Sequence, residues 1–163
     1  MVVSLWHFLR RLRPDLPFNS VFESTCDGKM SYGPVWDHVL GYWRAAIARP
    51  DKVLFLRYEE LLHDPAGQVR RLAAFLGMPF SVAEEEFGTV DNIVQLCSFG
   101  HLKGLDANKI GGLDPILPIP RDALFRNGES GDWVNHMTPE MASHLDEIVA
   151  EKMRGTWFTF SDM

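Results

Sequence analysis

The chain has 163 residues, 46% of them hydrophobic and 23% charged, which is enough for one domain with a real core. A formal charge of −6 excludes a general nucleic-acid binder, although it leaves room for a local basic pocket. Cys26 and Cys97 stand far apart with no Cys-x-x-Cys or His-Glu-x-x-His, so neither a zinc site nor a disulfide framework is indicated and no metal ligand is assigned.

No apolar run approaches the ~20 residues that cross a bilayer, and the thiols read as reduced residues of a cytoplasmic protein. Arg10, Arg11 and Arg13 follow the apolar run Val2-Val3-Ser4-Leu5-Trp6 instead of alternating with it, unlike a presequence. Val2, Leu5, Trp6, Leu9 and Leu12 recur at helical spacing, which predicts a largely buried helix over Met1–Arg13 ended by Pro14. Its polar seam is Ser4, His7 and Arg11. Such a seam reads either as satisfied core polar groups or as a hydroxyl near a helix N-terminus that receives an anion.

A short helix is expected near Ser20–Lys29. The stripe Val35, Val39, Leu40, Trp43, Ala46 and Ile47 then predicts an amphipathic helix over Pro34–Ala48. Val53-Leu54-Phe55-Leu56-Arg57-Tyr58 is a continuous apolar run, the pattern of a parallel strand buried on both faces. A helical turn at Glu59–Leu62 follows. Asp64 and Pro65 open a helix that carries Val69, Leu72, Ala73 and Leu76 on one face and closes at Gly77. Ser81 with Glu84 is a capping box, and a further helix is expected over Thr89–Leu96.

Phe99–Pro120 is rich in glycine and proline, has no convincing period, and is expected to be irregular. Thr138-Pro139-Glu140 starts a last helix with Met141, Leu145, Ile148 and Val149 facing the core, and Trp157–Phe160 reads as extended.

Between them lies Phe125-Arg126-Asn127-Gly128-Glu129-Ser130-Gly131-Asp132-Trp133. Two glycines three apart let the backbone turn tightly and bring its N–H groups near a ligand. Arg126 beside them offers a planar fork that matches phosphate or sulfate oxygens. A surface loop capped by Gly-x-x-Gly is the other reading.

A doubly buried strand needs neighbours on both edges, and no second run like Val53–Tyr58 occurs. The expectation is that its partners lie in sequence outside this chain, Met1 marking a cut through a larger α/β enzyme.

With these residues in place, the chain resembles the C-terminal portion of a cytosolic sulfotransferase, most similar to the plant flavonol and brassinosteroid branch. The likeness runs through Val2-Val3-Ser4-Leu5-Trp6-His7-Phe8, Tyr32-Gly33-Pro34-Val35-Trp36-Asp37-His38-Val39, Val53–Glu60, and Phe125-Arg126-x-Gly128-x-x-Gly131-Asp132-Trp133. The fold it implies is α/β, the C-terminal part of a P-loop-type sulfotransferase fold, mostly helical here with one parallel-type strand at 53–58. It also implies a single partial domain over 1–163 without the N-terminal donor-binding loop and most of the sheet.

The family transfers a sulfuryl group from 3′-phosphoadenylyl sulfate to a hydroxyl of a small phenolic, flavonoid or steroid acceptor, without a metal. The resemblance assigns Ser4, Arg126 and the Gly128 N–H to the donor's 3′-phosphate. Tyr58, Cys97 and Phe99 are assigned to adenine, with a small buried filler as the other reading of Cys97. Asn127 stands in the phosphate site where the family has Lys.

The family's lysine-bearing phosphosulfate loop has no counterpart in this chain, and His7, His38 and His136 do not match the catalytic His position. No catalytic residue is therefore assigned, and the chain is expected to be inactive alone. The alternative is a nucleotide-binding or regulatory remnant that pairs with an intact homologue; a helical interaction module is a third reading. Of the animal-type dimer motif, Val134, Thr138, Pro139 and Ser143 keep only the threonine. Neither a nucleic acid nor a membrane is expected as a partner.

Overall fold

Short oxygen-bearing side chains start several helices. Asp64 Oδ1 accepts from the Gly67 amide at 2.9 Å, and Ser81 with Glu84 forms a reciprocal capping box. Thr138 Oγ1 accepts from the Met141 amide at 3.3 Å. Each satisfies an amide that a first helical turn leaves without an intrahelical acceptor.

The computed structural model describes residues 1–113 and 119–160. In chain order the helices are α1 (Val2–Leu9), α2 (Phe18–Cys26), α3 (Val35–Ala48), α4 (Tyr58–His63), α5 (Pro65–Phe75), α6 (Val82–Glu86), α7 (Thr89–Leu96), α8 (Phe99–Gly104), α9 (Asp106–Lys109) and α10 (Pro139–Met153). Arg121–Leu124 and Asp132–Asn135 form 3₁₀ turns. No helix among the described residues is long and apolar enough to cross a membrane. The chain divides into two compact units, Met1–Val53 with Ser130–Met163, and Leu54–Glu129.

In the first unit α1 packs on α2 and α3 on α10. Val2, Val3, Val21, Phe22, Trp36, Leu40, Met153 and Phe158 are buried. Helix α1 stops at Leu9, short of the expected Arg13, and its C-cap is Arg10. Arg10 Nε donates to the Pro14 carbonyl at 3.1 Å and its guanidinium lies 5.0 Å above the Trp6 ring. Trp6 Nε1 donates to the Leu16 carbonyl at 2.9 Å, which fixes the turn after α1. Only Val2 and Val3 of α1 are buried, so the expected burial is confined to its first turn. Trp157–Phe160 makes no strand; Phe158 is its anchor, edge-on to Trp43 at 5.4 Å, while Trp157 faces solvent.

The second unit holds α4 to α9, with α5 and α6 packed on α7. Among its described residues Val90 and Ile119 are the buried apolar side chains. Leu72 and Leu76, expected on a core face, are 41% and 63% exposed. Arg70 instead holds Glu85 with two parallel bonds of 2.8 Å, linking α5 to α6.

The expected parallel strand does not form. Residues 53–57 make no β-ladder and Tyr58 already belongs to α4. A strand is defined by hydrogen bonds to a neighbour, and no such neighbour occurs among the described residues. The chain is mostly helical, as expected, and its one β-feature among the described residues is an isolated antiparallel bridge, Gly112 to Pro120. Arg71 Nη2 donates to the Phe55 carbonyl at 3.2 Å in place of a strand.

The expectation of irregular structure over Phe99–Pro120 is also corrected, since α8 and α9 occupy its first half. Ser98 caps α8, its Oγ accepting from the His101 amide at 3.3 Å. Residues 114–118 lie outside those described.

Candidate functional site

Within the second unit the glycine loop closes on α8. Gly128 adopts φ +70°, in the left-handed region, and a Cβ there would lie 2.6 Å from Phe99 Cδ2. Only a residue without a side chain lets the backbone run this close to the ring. Phe125, at the other end of the approach, places its ring centroid 5.8 Å from that of Phe99. Arg126, between Phe125 and Gly128 in sequence, is half-buried, with its Nε shielded from solvent. With its amide turned to satisfy both groups, Asn127 donates to the Arg126 carbonyl at 3.2 Å and accepts from Arg126 Nη1 at 3.3 Å. Asn127 therefore braces the arginine.

Phe99, Arg126 and Gly128 are thus local to one another. Cys97 caps the C-terminus of α7 and is exposed, which removes the buried-filler reading. Tyr58 opens α4 with 49% of its surface exposed. Sequence reasoning missed Lys103, whose Nζ lies 5.5 Å above the Phe99 ring and adds a cation near the loop. The i, i+4 spacing from Phe99 could have revealed it, but the unrecognised helix α8 hid that relation.

In the first unit, Ser4 is exposed on the first turn of α1. Gly131 adopts φ +87° and opens the 3₁₀ turn Asp132–Asn135. His136 Nε2 lies 3.4 Å from Asp132 Oδ2, and His7 joins them with all three ligand atoms within 4.8 Å of one another. Val134, Pro139 and Ser143 line an open groove with Trp133, Met137 and Ala142.

The sulfotransferase domain family model matches residues 1–157. The chain belongs to the sulfotransferase family. It is 41% identical over 160 residues to a flavonol 4′-sulfotransferase of Flaveria chlorifolia, a match covering 96% of this chain and 50% of the relative. Cytosolic sulfotransferase 8 of Arabidopsis thaliana is 46% identical over 158 residues, covering 96% of this chain and 47% of the relative. The sulfotransferase chain therefore spans about half the length of the curated relatives it matches. Mouse sulfotransferase SULT7A1, solved in complex with PAP, superposes with a TM-score of 0.74 at 30% identity, over 95% of this chain and 54% of that one.

Proposed function

We propose that this chain carries the adenosine 3′-phosphate side of a cytoplasmic, 3′-phosphoadenylyl-sulfate-dependent sulfotransferase acting on a small hydroxylated acceptor. Arg126 and the Gly128 N–H hold the 3′-phosphate, and Tyr58, Cys97 and Phe99 serve the adenine. The observation that carries this reading is the approach of the Gly128 backbone to Phe99. It fixes the loop in one shape before any ligand arrives, and a loop fixed in advance loses little entropy on binding an anion. The PAP-bound neighbour supports the choice of nucleotide.

Sulfuryl transfer, like phosphoryl transfer, depends on cations placed on the departing oxygens and on a base at the attacking hydroxyl. No residue of these 163 matches the family's lysine or its histidine base, so we propose that the chain alone binds nucleotide without turnover. Calorimetric titration with adenosine 3′,5′-bisphosphate tests the site. Removing a charge-assisted bond costs about 1.5–3 kcal/mol, so Arg126→Ala is expected to weaken binding by at least ~tenfold. Equal heats for Arg126→Ala and the unaltered chain would remove the site assignment. Transfer of radiolabel from donor to a flavonol by this polypeptide alone would remove the claim of inactivity.

A further inference from the structure

Two imidazoles and a carboxylate converge in the first unit, away from any role assigned above. His7 comes from α1, and Asp132 and His136 from the 3₁₀ turn after Gly131 and the residue that ends it. The His7 and His136 rings stand at 81° with centroids 5.1 Å apart, and all three ligand atoms lie within 4.8 Å of one another. His136 and Asp132 are 24% and 17% exposed, shielded yet open to a small ion. The cluster has apolar walls: the Trp6 ring lies 4.5 Å from His7 and 5.6 Å from His136, and Phe18 lies 6.4 Å from His136.

We propose that His7, Asp132 and His136 form a site for a borderline divalent cation such as Zn²⁺. Two nitrogens and one oxygen are the donor set of many three-ligand zinc sites, with water in the fourth position. Donors at about 2.0–2.2 Å around a tetrahedral ion sit about 3.3–3.5 Å apart. Asp132 and His136 already stand at 3.4 Å, so closure needs only a small side-chain movement of His7. The aromatic walls limit water, which strengthens the attraction between cation and carboxylate. The ion would staple α1 to the turn at Asp132–Asn135, joining parts of one unit that the sequence sets far apart.

The test begins with chelator-stripped protein titrated with Zn²⁺ against a chromophoric chelator. One equivalent is expected to bind, raising the melting temperature by about 5–10 °C at hundredfold excess over Kd. His7→Ala and Asp132→Asn are each expected to weaken binding more than ~tenfold, whereas His63→Ala and His101→Ala leave it unchanged. Co²⁺ should quench the fluorescence of Trp6, so that Trp6→Phe loses most of the quenching. X-ray absorption at the zinc edge of the unaltered chain keeps the proposal testable if variants fail to fold. Two imidazole nitrogens with an oxygen support it; sulfur from Cys26 or Cys97 overturns it. So does the absence of stoichiometric binding, or binding that survives Asp132→Asn unchanged.

Discussion

In the unit formed by Met1–Val53 and Ser130–Met163, large side chains meet one another. Trp36 and Leu40 of α3 and Met153 and Phe158 near the C-terminus are all buried, and a tryptophan–phenylalanine pair closes one end. In Leu54–Glu129 the helices are held by other means. Their described apolar burial rests on Val90 and Ile119, while the Arg70–Glu85 fork and the caps at Asp64, Ser81 and Ser98 do much of the remaining work at the surface. The first unit draws on area removed from water, the second on directional bonds that solvent weakens. The candidate nucleotide loop lies in the second, where local order has to come from sterics such as the Gly128–Phe99 approach.

The contrast is most sharply tested by emptying each interior. Trp36→Ala should cost about 3–5 kcal/mol, and Val90→Ala about 2 kcal/mol, since fewer methyl groups leave the core. Urea denaturation followed by circular dichroism measures both; equal losses would erase the distinction. A smaller effect comes from Ser81→Ala, which removes the cap of α6 and should cost about 1 kcal/mol. Hydrogen exchange should show that loss in α6 and α7 with the amides of α3 unchanged.

The smallest effect is a dependence on acid. Bonds from the Ser81 amide and then its hydroxyl hold the Glu84 carboxyl below its ordinary value, and the Arg70 guanidinium does the same for Glu85. Carboxylates with depressed folded-state values stabilise above their unfolded value and lose that contribution as pH falls through the folded one. Melting temperatures recorded from about pH 6 to about pH 3 should therefore fall slightly, and less so in Glu85→Gln.

What the residues reveal in advance follows the range of the interaction involved. Asp64-Pro65, Ser81 with Glu84, and Thr138-Pro139 mark helix starts because a cap acts across three residues. Helix α8 escapes notice because Gly100 and Gly104 interrupt the period and are poor helix formers, leaving only the Ser98 cap as a signal. Val53–Tyr58 has the composition of a strand, yet composition supplies no partner. Leu72 and Leu76 lie on the face that periodicity picks out and still meet solvent, since a stripe says which side is apolar and not what covers it. Asp132 and His136 stand four residues apart, but His7 is distant in sequence and joins them only once the chain folds, so no spacing rule reveals the cluster as a whole. The glycine loop was legible in outline, but the part played by Asn127 emerges only from its two bonds to Arg126.

The contact from Arg71 to the Phe55 carbonyl has a bearing on solubility. Val53–Arg57 is a short β-prone stretch without a β-ladder, and a stretch of that kind is open to edgewise addition of another copy. A guanidinium seated on the Phe55 carbonyl occupies an acceptor that such an added strand would need. Arg71 thus tethers α5 to residues 53–57 and stands in the way of edgewise pairing at Phe55.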